Sequence, residues 1–166
     1  MSITLALAAL CLSTPDAAAQ GYQSLRHGGN FGLGFGGDTY GGGLSGKYWI
    51  TDGSAIQATV AGGGYVSNGD GNLRMSIIAD YLVEMPLLGQ GEGIEIGWSV
   101  GPGAGLELAA NQDTALRLYG VAGLEFDLTV IPLDFVLEYR PVIRMEEDYF
   151  ELRPINFGGH LRWYFS

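Results

Sequence analysis

The feature of this sequence that most constrains its fold is an alternation of apolar and other residues, sustained from about residue 30 to the end of the chain. A period of two places successive side chains on opposite faces of a β-strand, whereas a helix repeats about every 3.6 residues. Turn-forming stretches such as Thr51-Asp52-Gly53-Ser54 separate eight such segments. The sequence predicts eight strands, with apolar faces over Phe31–Phe35, Leu44–Ile50, Ile56–Gly64, Leu73–Val83, Ile94–Val100, Leu116–Leu124, Phe135–Ile143 and Phe157–Phe165.

Charged residues fall on only one face of each predicted strand. No Lys, Arg, Asp or Glu interrupts any of the eight apolar faces, and the opposite faces carry six of the eight basic residues. In a soluble barrel or sandwich the charged face would meet water and would carry many lysines, but this chain has few. The pattern therefore favours the inverted arrangement, with the apolar face outside and the charged face inside.

The C-terminal segment supports that arrangement. Phe157, Gly159, Leu161, Trp163 and Phe165 alternate up to an aromatic residue beside the last position, which resembles the recognition signal of outer-membrane β-barrels. Strands of about ten residues, closed into a barrel with apolar residues outside, leave no open sheet edge in lipid. The predicted fold is therefore all-β, an eight-stranded antiparallel up-and-down transmembrane β-barrel.

Residues 28 to 166 thus resemble the small eight-stranded outer-membrane barrels of the OmpA and OmpX type, and Gly43–Trp49 with His160–Phe165 resembles porin-like members more narrowly. The resemblance implies a monomer in the outer membrane of a Gram-negative bacterium, in contact with lipid and lipopolysaccharide. It also implies insertion by the barrel assembly machinery. Because such barrels include anchors, narrow pores, adhesins and lipid-modifying enzymes, the fold alone does not assign an activity.

The N-terminus predicts a secretory signal peptide. Leu5 to Leu12 are continuously apolar, and Ala17-Ala18-Ala19 offers a small-residue cleavage site before Gln20. Cys11 lies in the segment to be removed, so the mature chain is expected to contain no disulfide or thiolate site. The predicted organisation is a signal peptide at 1–19, a short segment at 20–28 and a barrel domain at 29–166.

Composition excludes one class of partner and raises one question. The formal net charge is -10 and the eight basic residues are not clustered, which argues against nucleic-acid binding.

Glycine accounts for 28 of 166 residues, well above the usual ~7%. We expect interior glycines to make room for long basic side chains on neighbouring strands: Gly32, Gly34 and Gly36 between the strands of Lys47 and Arg162, and Gly97 and Gly101 between those of Arg74 and Arg117.

The charged faces predict a network in the barrel lumen. An eight-stranded barrel is just wide enough for side chains, so buried charges there must pair. Antiparallel pairing is expected to place Glu138 beside Arg162 and Arg140 beside His160. Both a structural salt-bridge network and a narrow ion path remain open. The predicted network comprises Lys47, Arg74, Asp80, Glu84, Glu95, Arg117, Glu125, Glu138, Arg140, Arg144, His160 and Arg162.

Four loops are predicted at one end of the barrel, at Gly37–Gly42, Ser67–Gly71, Glu107–Asp113 and Met145–Pro154. The last combines charge with aromatic character and is the candidate contact surface of an alternative ligand-binding or adhesion function. Its candidate residues are Glu146, Glu147, Asp148, Tyr149 and Phe150.

We predict no catalytic, cofactor or metal site. Gly41 to Lys47 fits the spacing of a phosphate-binding loop, but Tyr48 stands where Ser or Thr is needed. A lipid A deacylase or acyltransferase is the enzymatic alternative and would need a base beside a nucleophile. The mature chain offers His27 and His160, and the strands expected beside His160 supply no serine. A structural or narrow-pore role is therefore expected, not an enzyme.

Overall fold

The computed structural model describes residues 30–65, 72–109, 112–147 and 149–165. The predicted signal peptide, the segment 20–28 and the loop at Ser67–Gly71 lie outside these ranges. Within them the structure contains no helix that could cross a membrane. The strands are β1 (Phe31–Asp38), β2 (Gly41–Thr51), β3 (Ser54–Tyr65), β4 (Asn72–Gly91), β5 (Ile94–Ala109), β6 (Gln112–Leu128), β7 (Leu133–Tyr139), β8 (Val142–Met145), β9 (Phe150–Arg153) and β10 (Phe157–Phe165).

The strands close into one antiparallel barrel. Each strand from β1 to β6 pairs with the next, and β1 closes the ring by pairing with β10. Both β7 and β8 pair with β6, while β10 pairs with β7 and β9 pairs with β8. The ten strands therefore occupy eight positions around the barrel, which we call staves. The seventh stave consists of β7 and β8, and the eighth consists of β9 and β10. The predicted all-β, eight-stranded antiparallel barrel is confirmed.

The break in the seventh stave lies at Arg140 and Pro141. Proline has no N–H, so it cannot donate a hydrogen bond to a neighbouring strand. The backbone nitrogen of Arg140 donates instead to the carbonyl of Asn156 at 2.8 Å, and that of Gly120 donates to the carbonyl of Pro141 at 3.1 Å. These two bonds keep β6 and the eighth stave attached to the seventh stave at the break. The sequence predicted a continuous strand at this position.

Several strands are longer than predicted, and three of the four predicted loops contain strand residues. The range Gly37–Gly42 includes the end of β1 and the start of β2, so only Thr39 and Tyr40 form the turn. The range Glu107–Asp113 is mainly strand, because β5 continues to Ala109 and β6 begins at Gln112. The range Met145–Pro154 contains β9, which forms a hairpin with β8. Gly101, Pro102 and Gly103 form part of the extension of β5 and lie opposite Val121, Gly120 and Tyr119. Paired neighbours override the local turn preference there.

The apolar face points outward and the charged face points inward. Thirty large hydrophobic side chains of the described residues are exposed, for example Phe35 and Leu44, whereas Lys47 and Arg162 are completely buried. The exposed charged residues among those described are Asp52, Glu92 and Glu147, and all three lie in turns. We call the end of the barrel with residues 30 and 165 the terminal end, and the end with the Thr39–Tyr40 turn and the β8–β9 turn the loop end.

Candidate functional site: the polar interior

Lys47 holds two acidic side chains near the terminal end. Its Nζ lies 2.8 Å from Oε1 of Glu84 and 2.7 Å from Oε2 of Glu125, while the Ser99 hydroxyl donates to the other oxygen of Glu125 at 2.7 Å. The ammonium also lies 4.4 Å from the ring centre of Trp49. One buried cation thus faces two carboxylates, each supplied by a different strand, and ties β2 to β4 and β6.

Arg140 binds two more carboxylates at mid-barrel. Its two terminal nitrogens lie 2.9 to 3.1 Å from the oxygens of Asp80, and Nη1 lies 2.6 Å from Oε2 of Glu138. The amide nitrogen of Gln57 donates to both acids, at 3.1 Å and 2.9 Å. A planar guanidinium donating to both oxygens of a carboxylate is a strong, directional contact. This cluster joins β3, β4 and the seventh stave across the lumen.

Arg162 contradicts the predicted pairing of the last two staves. It lies opposite Asp134 in the β10–β7 ladder, not opposite Glu138, and its Nη2 lies 3.0 Å from Asp134 Oδ2. His160 lies opposite Val136 rather than Arg140. The register therefore differs from the expected one by four residues, from position 138 to position 134. An even shift keeps the inward and outward faces unchanged, so the face pattern alone could not detect it.

His160 contacts a serine that lies on neither of the two strands beside it. Its Nδ1 lies 2.8 Å from the hydroxyl of Ser45 on β2, and its Nε2 lies 3.0 Å from Oε2 of Glu138. β1 lies between β10 and β2, and a Cβ at Gly36 of β1 would overlap the imidazole. The glycine lets the ring cross one strand and reach a serine two strands away.

The order serine, histidine, glutamate resembles a nucleophile with its base and orienting acid. Ser45 is 0% exposed and His160 is 3% exposed, however, so the hydroxyl has no access to a substrate in this structure. The histidine instead joins the Ser45 strand to the Arg140 cluster. We assign the three residues to the interior network.

Three arginines converge on Glu107 toward the loop end of the interior. Arg74 Nη1 lies 3.0 Å from its Oε1, Arg117 Nη2 contacts its Oε2, and Nε of Arg144 lies 3.5 Å from the same oxygen. Glu107 is buried, although the sequence analysis had placed it in a loop. The sequence could have placed Glu107 in the interior network if the alternation of β5 had been extended through Gly101–Gly105, because Glu107 shares the face of Glu95.

The residues of the predicted lumen network differ in their exposure to solvent. Most of the predicted network is buried, but Arg74, Glu95 and Arg144 are partly exposed. The predicted network did not include several polar residues that are buried in the interior, which are Ser45, Gln57, Ser99, Glu107, Asp127, Asp134 and Asn156. Neutral residues on a strand carry no charge signal, so Gln57 could be identified only by its contacts with Asp80 and Glu138.

The candidate surface residues lie at the β8–β9 turn. Glu146 pairs with Arg144, and Tyr149 and Phe150 are exposed. Phe150 begins β9, so it belongs to a hairpin and not to an open loop. Glu147 is exposed, and Asp148 lies outside the described residues.

The fold and interior together define a class of protein: a closed eight-stranded β-barrel with an apolar exterior and a buried network of paired charges. Comparison of the chain with protein-family models, curated proteins and solved structures found no match. The functional argument therefore depends on the geometry of this chain.

Proposed function

We propose that the protein is an integral outer-membrane β-barrel with a structural role, whose lumen is sealed by its own side chains. The observation that carries this proposal is the distribution of charge: the exposed face of the described strands contains no charged residue, and the exposed charged residues among those described occur in turns. An apolar exterior of this extent is costly in water and stable in hydrocarbon.

Aromatic side chains near both ends of the barrel support a membrane setting. Phe31 and Phe165 stack at the terminal end with ring centres 6.4 Å apart, and Tyr139 packs on Phe157 toward the loop end with centres 5.7 Å apart. Rings at two levels are typical of the interfacial girdles of membrane barrels. The resemblance to OmpA/OmpX-type barrels, outer-membrane location and contact with lipopolysaccharide form part of the same proposal, as do assembly-machinery insertion and a monomeric state.

The state of the lumen favours a structural role over a narrow pore. Side chains that line a water-filled path are accessible to water, but Lys47, Gln57 and Arg162 are 0% exposed. They lie in contacts that cross the lumen, which join Lys47 to Glu125, Gln57 to Glu138 and Arg162 to Gln57. An ion crossing the lumen would have to break several buried ion pairs.

The proposal is tested by locating the full chain in a Gram-negative host. We expect it in the outer-membrane fraction after carbonate washing, with an apparent mass in gels that changes on heating. A periplasmic protein of the same size, expressed in the same cells, is the control for fractionation. Recovery of the unheated protein in the soluble periplasmic fraction would contradict the proposal.

A further inference from the structure

Three acidic side chains lie next to one another on the inner face at the terminal end of the barrel. Glu95 of β5 is opposite Asp127 of β6, and Asp127 is opposite Asp134 of β7. We call these three residues the acidic row, and each is the second residue from an end of its strand. Asp127 and Asp134 are each 3% exposed. Since like charges opposite each other on paired strands are destabilising, the row requires positive charge close by.

Arg162 supplies positive charge to one member of the row, Asp134. Its Nη2 lies 3.0 Å from Asp134 Oδ2, and the Tyr164 hydroxyl donates to the same oxygen at 2.8 Å. Glu95 and Asp127 also have partners, since each takes part in a further hydrogen bond, ion pair or other electrostatic interaction. The partner that suits two adjacent carboxylates is a cation that donates to both, such as a guanidinium group.

The basic residues of the chain point to Arg26 as that cation. Besides Arg162, six basic residues lie in the described ranges, and each forms an ion pair with an acidic residue outside the acidic row; they are Lys47, Arg74, Arg117, Arg140, Arg144 and Arg153. The chain has eight basic residues, and the remaining one is Arg26. It lies outside the described residues, four positions before Asn30. The carbonyl of Asn30 accepts a hydrogen bond from the backbone nitrogen of Trp49 at 2.9 Å, so Arg26 is joined to the barrel at the same end as the acidic row.

The acidic row is within reach of Arg26. Eight strands about 4.8 Å apart, tilted by about 40°, give a barrel roughly 16 Å across. Four extended residues span about 14 Å, and the long arginine side chain adds to that reach. His27, Gly28 and Gly29 stand between Arg26 and Asn30, and glycines permit the turn that directs the chain across the end of the barrel.

We propose that the Arg26 guanidinium binds Glu95 and Asp127 together. The segment before β1 then crosses the terminal end and closes that mouth of the lumen. A guanidinium can serve two carboxylates at once, as Arg140 does at mid-barrel. A metal ion is disfavoured as the partner, because the described residues contain no group of three acidic, histidine or cysteine side chains placed to hold one. The inference depends on the barrel interior and not on the membrane location, so either proposal can fail without the other.

Trypsin cleavage after Arg26 tests this docking, because trypsin must take the arginine side chain into its own pocket. In the detergent-solubilised full chain, we expect the bond between Arg26 and His27 to resist trypsin under conditions that cleave it in the denatured chain. Asp127→Asn should raise the rate of this cleavage about tenfold, since losing a hydrogen bond to a charged group changes the population of the released segment by that factor. Glu92→Gln is the matched control, because Glu92 is an exposed acid in the β4–β5 turn at the same end, and it should leave the bond protected.

Mass spectrometry of the same digests reports whether a variant is folded, because trypsin cleaves an unfolded barrel at its other basic residues as well. If Asp127→Asn does not fold, Glu95→Gln takes its place with the same expected result. The proposal is overturned if the bond after Arg26 is cleaved as fast in the unmodified chain as in the denatured chain. It is also overturned if the folded variant leaves that bond as protected as in the unmodified chain.

A double-mutant cycle separates direct contact from general loosening of the barrel. Arg26→Gln combined with Asp127→Asn should lower the denaturant midpoint of unfolding no further than the larger single change, because both remove the same contact. Arg26→Gln combined with Glu92→Gln should give additive shifts. Additive shifts for Arg26→Gln with Asp127→Asn would contradict the proposed contact.

Discussion

At the scale of single residues, glycine decides which side chains can meet in the lumen. Gly36 leaves the space through which His160 reaches Ser45, and a Cβ at Gly36 would overlap the imidazole. The sequence predicted that the β1 glycines make room for Lys47 and Arg162. At Gly32 and Gly36 they instead make room for aromatic rings, because a Cβ at Gly32 would lie 2.9 Å from the Tyr164 ring.

Gly36→Ala should lower the free energy of unfolding by about 1–3 kcal/mol, because the imidazole must move and leave buried polar groups unpaired. Gly62→Ala is the matched control, since nothing lies within 4 Å of a Cβ there. Denaturant unfolding in detergent micelles, followed by Trp fluorescence, measures both variants. Equal midpoints for the two would refute the packing argument.

The charge of Lys47 matters at the same scale. Lys47→Met should lower the free energy of unfolding by about 3–5 kcal/mol, because Glu84 and Glu125 would stay buried without their cation. Adding Glu84→Gln and Glu125→Gln should recover part of that loss, since neutral amides cost less to bury. The same unfolding assay compares the single and triple variants. A triple variant no more stable than Lys47→Met would show that charge pairing is not the cause.

At the scale of strands, period-two alternation predicted all eight staves and the orientation of their faces. It could not predict the register of β7 with β10, because a four-residue shift leaves every side chain on the same face. It also missed the break at Pro141, where Arg140 leaves the ladder and binds Asp80. The charged half of the network was accessible from the sequence, but partners such as Asp134 for Arg162 depend on register.

Engineered cysteines test that register directly. Phe135 and Leu161 are opposite each other in the β7–β10 ladder, so cysteines at both positions should form a disulfide on mild oxidation. Tyr139 would face Leu161 in the register expected from the sequence, and cysteines at these two positions should stay reduced. Non-reducing gels and thiol counting distinguish the variants. A disulfide at 139 and 161 but not at 135 and 161 would favour the sequence-based register.

At the scale of the whole molecule, the interior contacts connect the walls of the barrel to one another and also fill the lumen. Arg140, Gln57 and Arg162 each contact acidic or amide groups from other staves, so the walls are linked through the centre. We therefore expect no steady conductance when the folded protein is reconstituted in a planar bilayer. A barrel with an open lumen, inserted under the same conditions, is the positive control. Reproducible single-channel steps from the unmodified chain would instead establish the narrow-pore alternative. Such steps would require the interior contacts to break while the strands remain paired in a ring.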